Sequence, residues 1–244
     1  GCGGGGDRDG TPVSYDPSGI VFPFYADMNG NNFPYGFPSY KFGYTDDFIQ
    51  TFHQPSGGVN GSGCHRIPLG GPSRTNFDVY FGQDIPNLPS YYLRFYLRVN
   101  ATFNTDPHQN WKLTYNYTES SAFVLWMHPT GDGRGFQPAF FTPNDQLWEV
   151  FGNQVGVPTF YLGDFREQWI CFEYHIDLNA HRIRLWITTE DGRYNETLYI
   201  DTPFYVDGTR IGEVKIGAYW DGQGNDNYFM LDEVAISDHY NGPV

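Results

Sequence analysis

The 244-residue chain carries 28 acidic against 14 basic residues, a formal charge of −14, so it repels nucleic acid and anionic membranes at long range. Its sequence has no run of the ~20 apolar residues that a membrane-spanning helix needs. Aromatic residues make up 19% of the chain, and 30 glycines and 17 prolines lie scattered between short apolar runs, as in a multi-strand β-protein whose strands each end in a turn.

Residues 1–19 form a leader rich in Gly, Asp and Pro, and residues 20–244 read as one domain. The first half holds two clear strand candidates, HRIPLG (65–70) and FDVYFG (77–82). In YYLRFYLRVNATF (91–103), Leu93, Phe95, Leu97 and Val99 alternate with Arg94, Tyr96, Arg98 and Asn100. Further strands are predicted in WKLTYNY (111–117), SAFVLWMH (121–128), PAFFT (138–142), QLWEVFG (146–152), TFYLG (159–163), TLYIDT (197–202), EVKIGAYW (213–220) and YFMLDEVAIS (228–237). Between them, residues 169–192 read as a β-hairpin with two unlike faces. Ile170, Phe172, Tyr174 and Ile176, with Ile183, Leu185 and Ile187, share one side; Trp169, Cys171, Glu173, His175 and Asp177, with Arg182, Arg184, Trp186 and Thr188, share the other. The count of short strands, with no sustained 3.6-residue period, predicts two packed antiparallel sheets.

Three cysteines are present. Cys2, between glycines and ahead of a polar tether, is similar to the lipid-bearing cysteine of a bacterial lipoprotein signal. Cys64 and Cys171 are candidates for a bridge closing a loop of roughly 100 residues, worth about 4 kcal/mol in the chain-entropy model; two buried thiols are the alternative, and Cys2 could pair with either one or with another subunit. Four Asn-x-Ser/Thr sequons, at Asn60, Asn100, Asn116 and Asn195, mark surface turns if they are glycosylated.

In the C-terminal third, the order WICFEYHIDLN (169–179), RLWI (184–187), IGAYWDG (216–222) and YFMLDEVAIS (228–237) resembles concanavalin A-like jelly rolls, in particular the polysaccharide-lyase-like and laminin G-like branches. The resemblance spans about residues 90–240. It implies an all-β, two-sheet antiparallel jelly-roll sandwich with a groove that binds or cleaves glycans. It also implies a structural Ca²⁺ held by Asp232 of the last strand, with Asp27 as a partner. Calcium favours such hard oxygen ligands.

The residues themselves nominate a carbohydrate site on the mixed face of the hairpin and its neighbour: Arg94, Tyr96, Arg98, Glu173, His175, Arg184 and Trp186. Aromatic rings stack on the C–H face of a sugar, while Arg and Glu take its hydroxyls in paired hydrogen bonds. Retaining glycoside hydrolysis needs two closely placed carboxylates, and the close Glu/Asp spacing of such a strand is absent. A lyase acting on uronate glycans by β-elimination would use His175 and Tyr96 as base and acid, with Arg94 neutralising the carboxylate. No zinc-type His/Cys spacing, phosphate loop or Gly-x-Ser-x-Gly motif occurs. The sequence thus predicts an exported, extracellular or cell-surface, non-catalytic, lectin-like protein whose partner is a glycan, with membrane contact only through a lipid on Cys2. Two alternatives stand beside it: a polysaccharide lyase, and a structural subunit whose copies assemble into a filament or surface layer.

Overall fold

The computed structural model describes residues 22–28, 39–42, 52–69, 76–103, 110–130, 134–142, 149–221 and 226–244. The leader and Cys2 lie outside these residues. The described strands are β1 (Phe24–Ala26), β2 (Ser39–Phe42), β3 (Phe52–Gln54), β4 (Cys64–Pro68), β5 (Asn76–Leu88), β6 (Ser90–Val99), β7 (Asn110–Thr118), β8 (Ala122–Pro129), β9 (Phe136–Phe141), β10 (Glu149–Val150), β11 (Ile170–Asp177), β12 (Arg182–Thr189), β13 (Thr197–Pro203), β14 (Ile211–Asp221) and β15 (Tyr228–Ser237). They build two antiparallel sheets. One runs β13-β12-β11-β6-β15-β4-β3, with β1 also paired to β15; the other runs β10-β9-β8-β7-β14-β5-β2.

The period-two pattern sets which side chains meet between the sheets. On β6, Leu93, Phe95, Leu97 and Val99 turn inward, and on β11 so do Ile170, Phe172, Tyr174 and Ile176; all are fully buried. Across the interlayer, Trp111 packs on Phe229 with ring centroids 5.0 Å apart and Phe140 on Tyr174 at 5.2 Å, while Phe95 and Phe172, partners on adjacent strands of one sheet, meet at 5.6 Å on its inner face. Each such ring or branched side chain contributes about 1.5–3 kcal/mol on leaving water, so the aromatic wealth of the chain is spent largely on this layer. Strand β12 shows the alternation in its simplest form, with every second residue buried.

One polar island sits in this core. Asn116 is fully buried, and its Oδ1 accepts hydrogen bonds from the hydroxyls of Tyr91 and Tyr174. Its Nδ2 donates to the Phe123 carbonyl at 3.2 Å and to Thr114 Oγ1 at 3.2 Å. This corrects the expectation that Asn116 marks a surface turn: in TYNY it falls on the inward phase of β7, where a glycan has no room. Asn100 is likewise 5% exposed, its Oδ1 accepting from Tyr228 N at 3.0 Å. Asn60 and Asn195 are exposed.

The Cys64–Cys171 bridge is also corrected. Both are buried free thiols. Cys64 lies on β4 and Cys171 on β11, with β15 and β6 between them. Three strand spacings come to about 14 Å, against the roughly 7 Å beyond which Cα atoms cannot be bridged. Burial pushes both thiols up to about 12, which leaves them as unreactive SH groups.

Replacing Asn116 with Ala is expected to strand two buried phenol hydroxyls, at about 1–3 kcal/mol each. The variant should lose about 3 kcal/mol of unfolding free energy in a urea titration; a loss below about 0.5 kcal/mol would show that the island is not structural.

Candidate functional site

The outward phase of the eight-stranded sheet carries the residues nominated from the sequence. Its side chains do point away from the sandwich core, yet three of them are covered. Arg94 is 2% exposed, Glu173 2% and Tyr96 6%, because residues 238–244 fold back across them. Glu173 Oε1 accepts from Asn241 N at 2.6 Å and from Asn241 Nδ2 at 2.9 Å, and its Oε2 accepts from Gly242 N at 2.8 Å. Arg94 Nη1 donates to the Gly242 carbonyl at 3.1 Å, and its Nε and Nη2 reach the carbonyl and carboxylate of Glu233 at 3.3 and 3.4 Å. Val244 N donates to the Tyr96 hydroxyl at 2.7 Å. Burial raises Glu173 above the usual carboxylate range, against these bonds and Arg94, which lower it.

Arg94, Tyr96 and Glu173 are therefore not a sugar groove in this arrangement. The lyase trio of His175, Tyr96 and Arg94 is likewise closed, since two of its members lie under the 241–244 backbone. His175 is 9% exposed; its ring stacks on Tyr92 with centroids 4.2 Å apart, and its Nε2 lies 2.8 Å from Ser90 Oγ. Burial lowers its pKa, and the nearby Arg184 adds to that. Arg184 is half-exposed and paired with Asp201 at 3.2 Å. Trp186 is half-buried against Tyr240, with centroids 5.2 Å apart.

Asp232 is wholly buried on this same face. Its Oδ2 accepts from Val59 N at 2.8 Å and Ser62 Oγ at 3.1 Å, and its Oδ1 accepts from Glu233 N at 2.8 Å. It holds down the turn at Val59–Gly61, where the chain passes so close that a Cβ on Gly58 would lie 2.6 Å from Oδ2 and 2.4 Å from the Gly63 carbonyl. Calcium at Asp232 would have to displace these donors. Among the described residues no group of three or more His, Cys, Asp and Glu converges as metal ligands, around Asp27 or elsewhere. The geometry is that of a loop latch.

The outer face of the seven-stranded sheet is different in kind. The register aligns four rows across it: Gln137 beside His128; Ala139, Trp126 and Lys112; Glu149, Phe141, Val124, Tyr115 and Lys215; and Ala122, Tyr117 and Glu213. Val124 and Ala139 form a buried floor, while Lys112, Tyr115, Tyr117, Trp126, His128 and Gln137 are half-buried. The Trp126 ring meets His128 at 4.6 Å and Phe141 at 5.1 Å, and His128 meets Phe151 at 5.1 Å. Tyr115 and Tyr117 stack at 6.0 Å. The Lys215 ammonium lies 4.5 Å over Tyr117 and 3.3 Å from Glu213 Oε1. Trp126 Nε1 and His128 Nδ1 have no hydrogen-bond partner among the described residues. Burial lowers the His128 pKa, with Glu149 opposing it, so the imidazole is neutral at pH 7. Flat rings, an unpaired indole N–H and cations on one face are the chemistry of a polyhydroxylated ligand site.

No protein-family model matches the chain, and no curated protein matches it by sequence. Solved structures do share its fold. Cellulose induced protein Cip1 is similar with a TM-score of 0.54 at 15% identity, over 84% of this chain and 94% of Cip1. Alginate lyase Aly36B is similar with a TM-score of 0.52 at 14% identity, over 88% of this chain and 97% of the lyase. The binding domain of botulinum neurotoxin DC, solved in complex with rat synaptotagmin II, is similar with a TM-score of 0.51 at 9% identity, and the chain spans 43% of its length. The protein is a concanavalin A-like jelly-roll sandwich, as the sequence motifs implied.

Asp232 gives a pH signature. Burial, which outweighs its hydrogen bonds, pushes its carboxyl from the ordinary 3.8 up to about 7. A carboxyl more basic when folded contributes stability that is full below pH 3.8 and lost as pH rises through 7. The Asp232 contribution to unfolding free energy, read as the difference between the unaltered protein and Asp232→Asn in urea titrations, is expected to fall between these limits by about 4 kcal/mol at about 1.36 kcal/mol per unit. Equal slopes for the two proteins would contradict the assignment.

Proposed function

We propose that the protein is an exported, non-catalytic carbohydrate-binding jelly roll that holds a glycan on the outer face of its seven-stranded sheet. The observation that carries this reading is the band of half-buried rings, Tyr115, Tyr117 and Trp126, set among Lys112, His128 and Gln137 over a buried apolar floor. Rings supply sugar-stacking surface, and the flanking amide and cations supply partners for hydroxyls. The shared fold with Cip1 and an alginate lyase supports the ligand class by analogy. Among the described residues no helix is long and apolar enough to cross a membrane.

One observation favours a second reading, a polysaccharide lyase using this same face. His128, kept neutral by burial, can accept a proton, and Lys112 and Lys215 stand on the same sheet to offset a uronate carboxylate. The two readings separate in a single set of measurements. A glycan array followed by titration calorimetry is expected to give saturable binding that Trp126→Ala weakens about tenfold, the equivalent of one lost aromatic contact near 1.4 kcal/mol, with no release of unsaturated sugar ends from uronate polymers. Unsaturated ends that vanish in His128→Ala would establish the lyase instead. Unchanged affinity in a folded Trp126→Ala protein would remove this face from both.

A further inference from the structure

At the other end of the eight-stranded sheet's outer face, the covering segments give way to a row of unpaired donors. Arg66 of β4 lies opposite Met230 of β15, and Met230 lies opposite Arg98 of β6. Trp169 directly precedes Ile170, which pairs with Leu97, so Trp169 falls beside Arg98. All four look outward, and Trp169 packs with Tyr96, Cys64, Val59 and Met230 in a small apolar cluster separate from the main core.

What marks this row is donors without partners. The ion pairs among the described residues engage Arg94, Arg134, Arg182, Arg184, Arg193 and Lys215. None engages Arg66 or Arg98, although the chain has 28 acidic residues against 14 basic ones. Arg66 is exposed and lies 3.8 Å over the Tyr228 ring. Arg98 is half-buried, with its Nε sealed from solvent and without a hydrogen-bond partner. Trp169 is only 8% exposed, and its Nε1 is sealed and unpartnered in the same way, as is Gln168 Oε1. The Oε2 of Glu190 accepts from the Trp169 backbone N–H at 3.0 Å. Buried polar groups in folded proteins are nearly always paired, and an exception calls for a partner.

A guanidinium and an indole N–H can only donate. Their complement is an oxyanion. We propose that Arg98 and Trp169, with Arg66 across Met230, form a binding site for an oxyanion group of the ligand, a carboxylate or a sulfate. The site lies on the sheet opposite the proposed glycan face and does not rest on that reading. It is also distinct from the covered Arg94 and Glu173, whose hydrogen bonds are already satisfied.

The test follows the Trp169 indole N–H resonance, assigned by its disappearance in Trp169→Phe, while sodium sulfate or sodium glucuronate is added at ionic strength held constant with chloride. A saturable shift is expected with at least one of the two anions, and which binds more tightly tells a sulfate ester from a uronate as the source. Arg98→Met, which keeps the stem and loses the guanidinium, is expected to weaken binding at least about tenfold. Arg98→Lys, which keeps the charge but loses the fork, should fall between. The remaining indole resonances report whether each variant is folded. A response no larger than that to chloride, or wild-type affinity in a folded Arg98→Met protein, would overturn the proposal.

Discussion

A buried carboxylate and a buried guanidinium on the outside of a sheet decide much of this molecule. Glu173 and Arg94 are side-by-side partners in the β11–β6 ladder, facing away from the core, and each is 2% exposed. Charges taken out of water are tolerated only when paired and fully hydrogen-bonded. Here the backbone of residues 241–242 completes the set, giving N–H groups to Glu173 and a carbonyl to Arg94. Gly242 sits at φ +69°, a left-handed conformation that suits glycine. The segment is fixed further by Val244 on Tyr96 and by Tyr240 against Trp186. Glu173, bonded to the 241–242 backbone, and Arg94, bonded to the Gly242 carbonyl and ion-paired with Glu233, therefore act as fasteners for the chain rather than as a binding site.

That closure distributes function over the rest of the surface. With the middle of one outer face occupied, the wide, ring-rich surface left is the outer face of the second sheet. There the strands set half-buried side chains around the buried Val124 and Ala139. The end of the closed face around Arg98 and Trp169 is left with donors that no described side chain satisfies. The jelly roll thus separates a stacking surface on one layer from a cationic edge on the other, and neither disturbs the aromatic interlayer that holds the sheets together.

Much of the architecture was legible in the sequence because a strand's period of two is a local property. The hairpin at 169–192, the inward set Leu93, Phe95, Leu97 and Val99, and the outward phase of Arg94, Tyr96, Arg98, Glu173 and His175 all follow from alternation alone. What covers an outward face does not. Strand β11 is buried on both sides because HYNGPV, some 68 residues further on, lies over it, and that segment has no periodicity to announce the contact. The same limit explains the cysteines: two strands can be recognised without knowing that two others lie between them. Asn116 was misread because the sequon motif outweighed the phase of TYNY, where inward Leu113 precedes it across a bulge. Trp126 and His128 were visible as the outward phase of SAFVLWMH, but nothing local ranks that face above any other.

The account turns on residues 241–244 being held by Glu173, Arg94 and Tyr96, and amide hydrogen exchange reads this contact directly. The amides of Asn241, Gly242 and Val244 are expected to exchange as slowly as neighbouring strand amides of β11, and those of Asn241 and Gly242 to lose that protection selectively in Glu173→Gln. Fast exchange at these three amides in the unaltered protein would mean that the outer face of the eight-stranded sheet is open, and the assignment of function to the opposite sheet would fail with it.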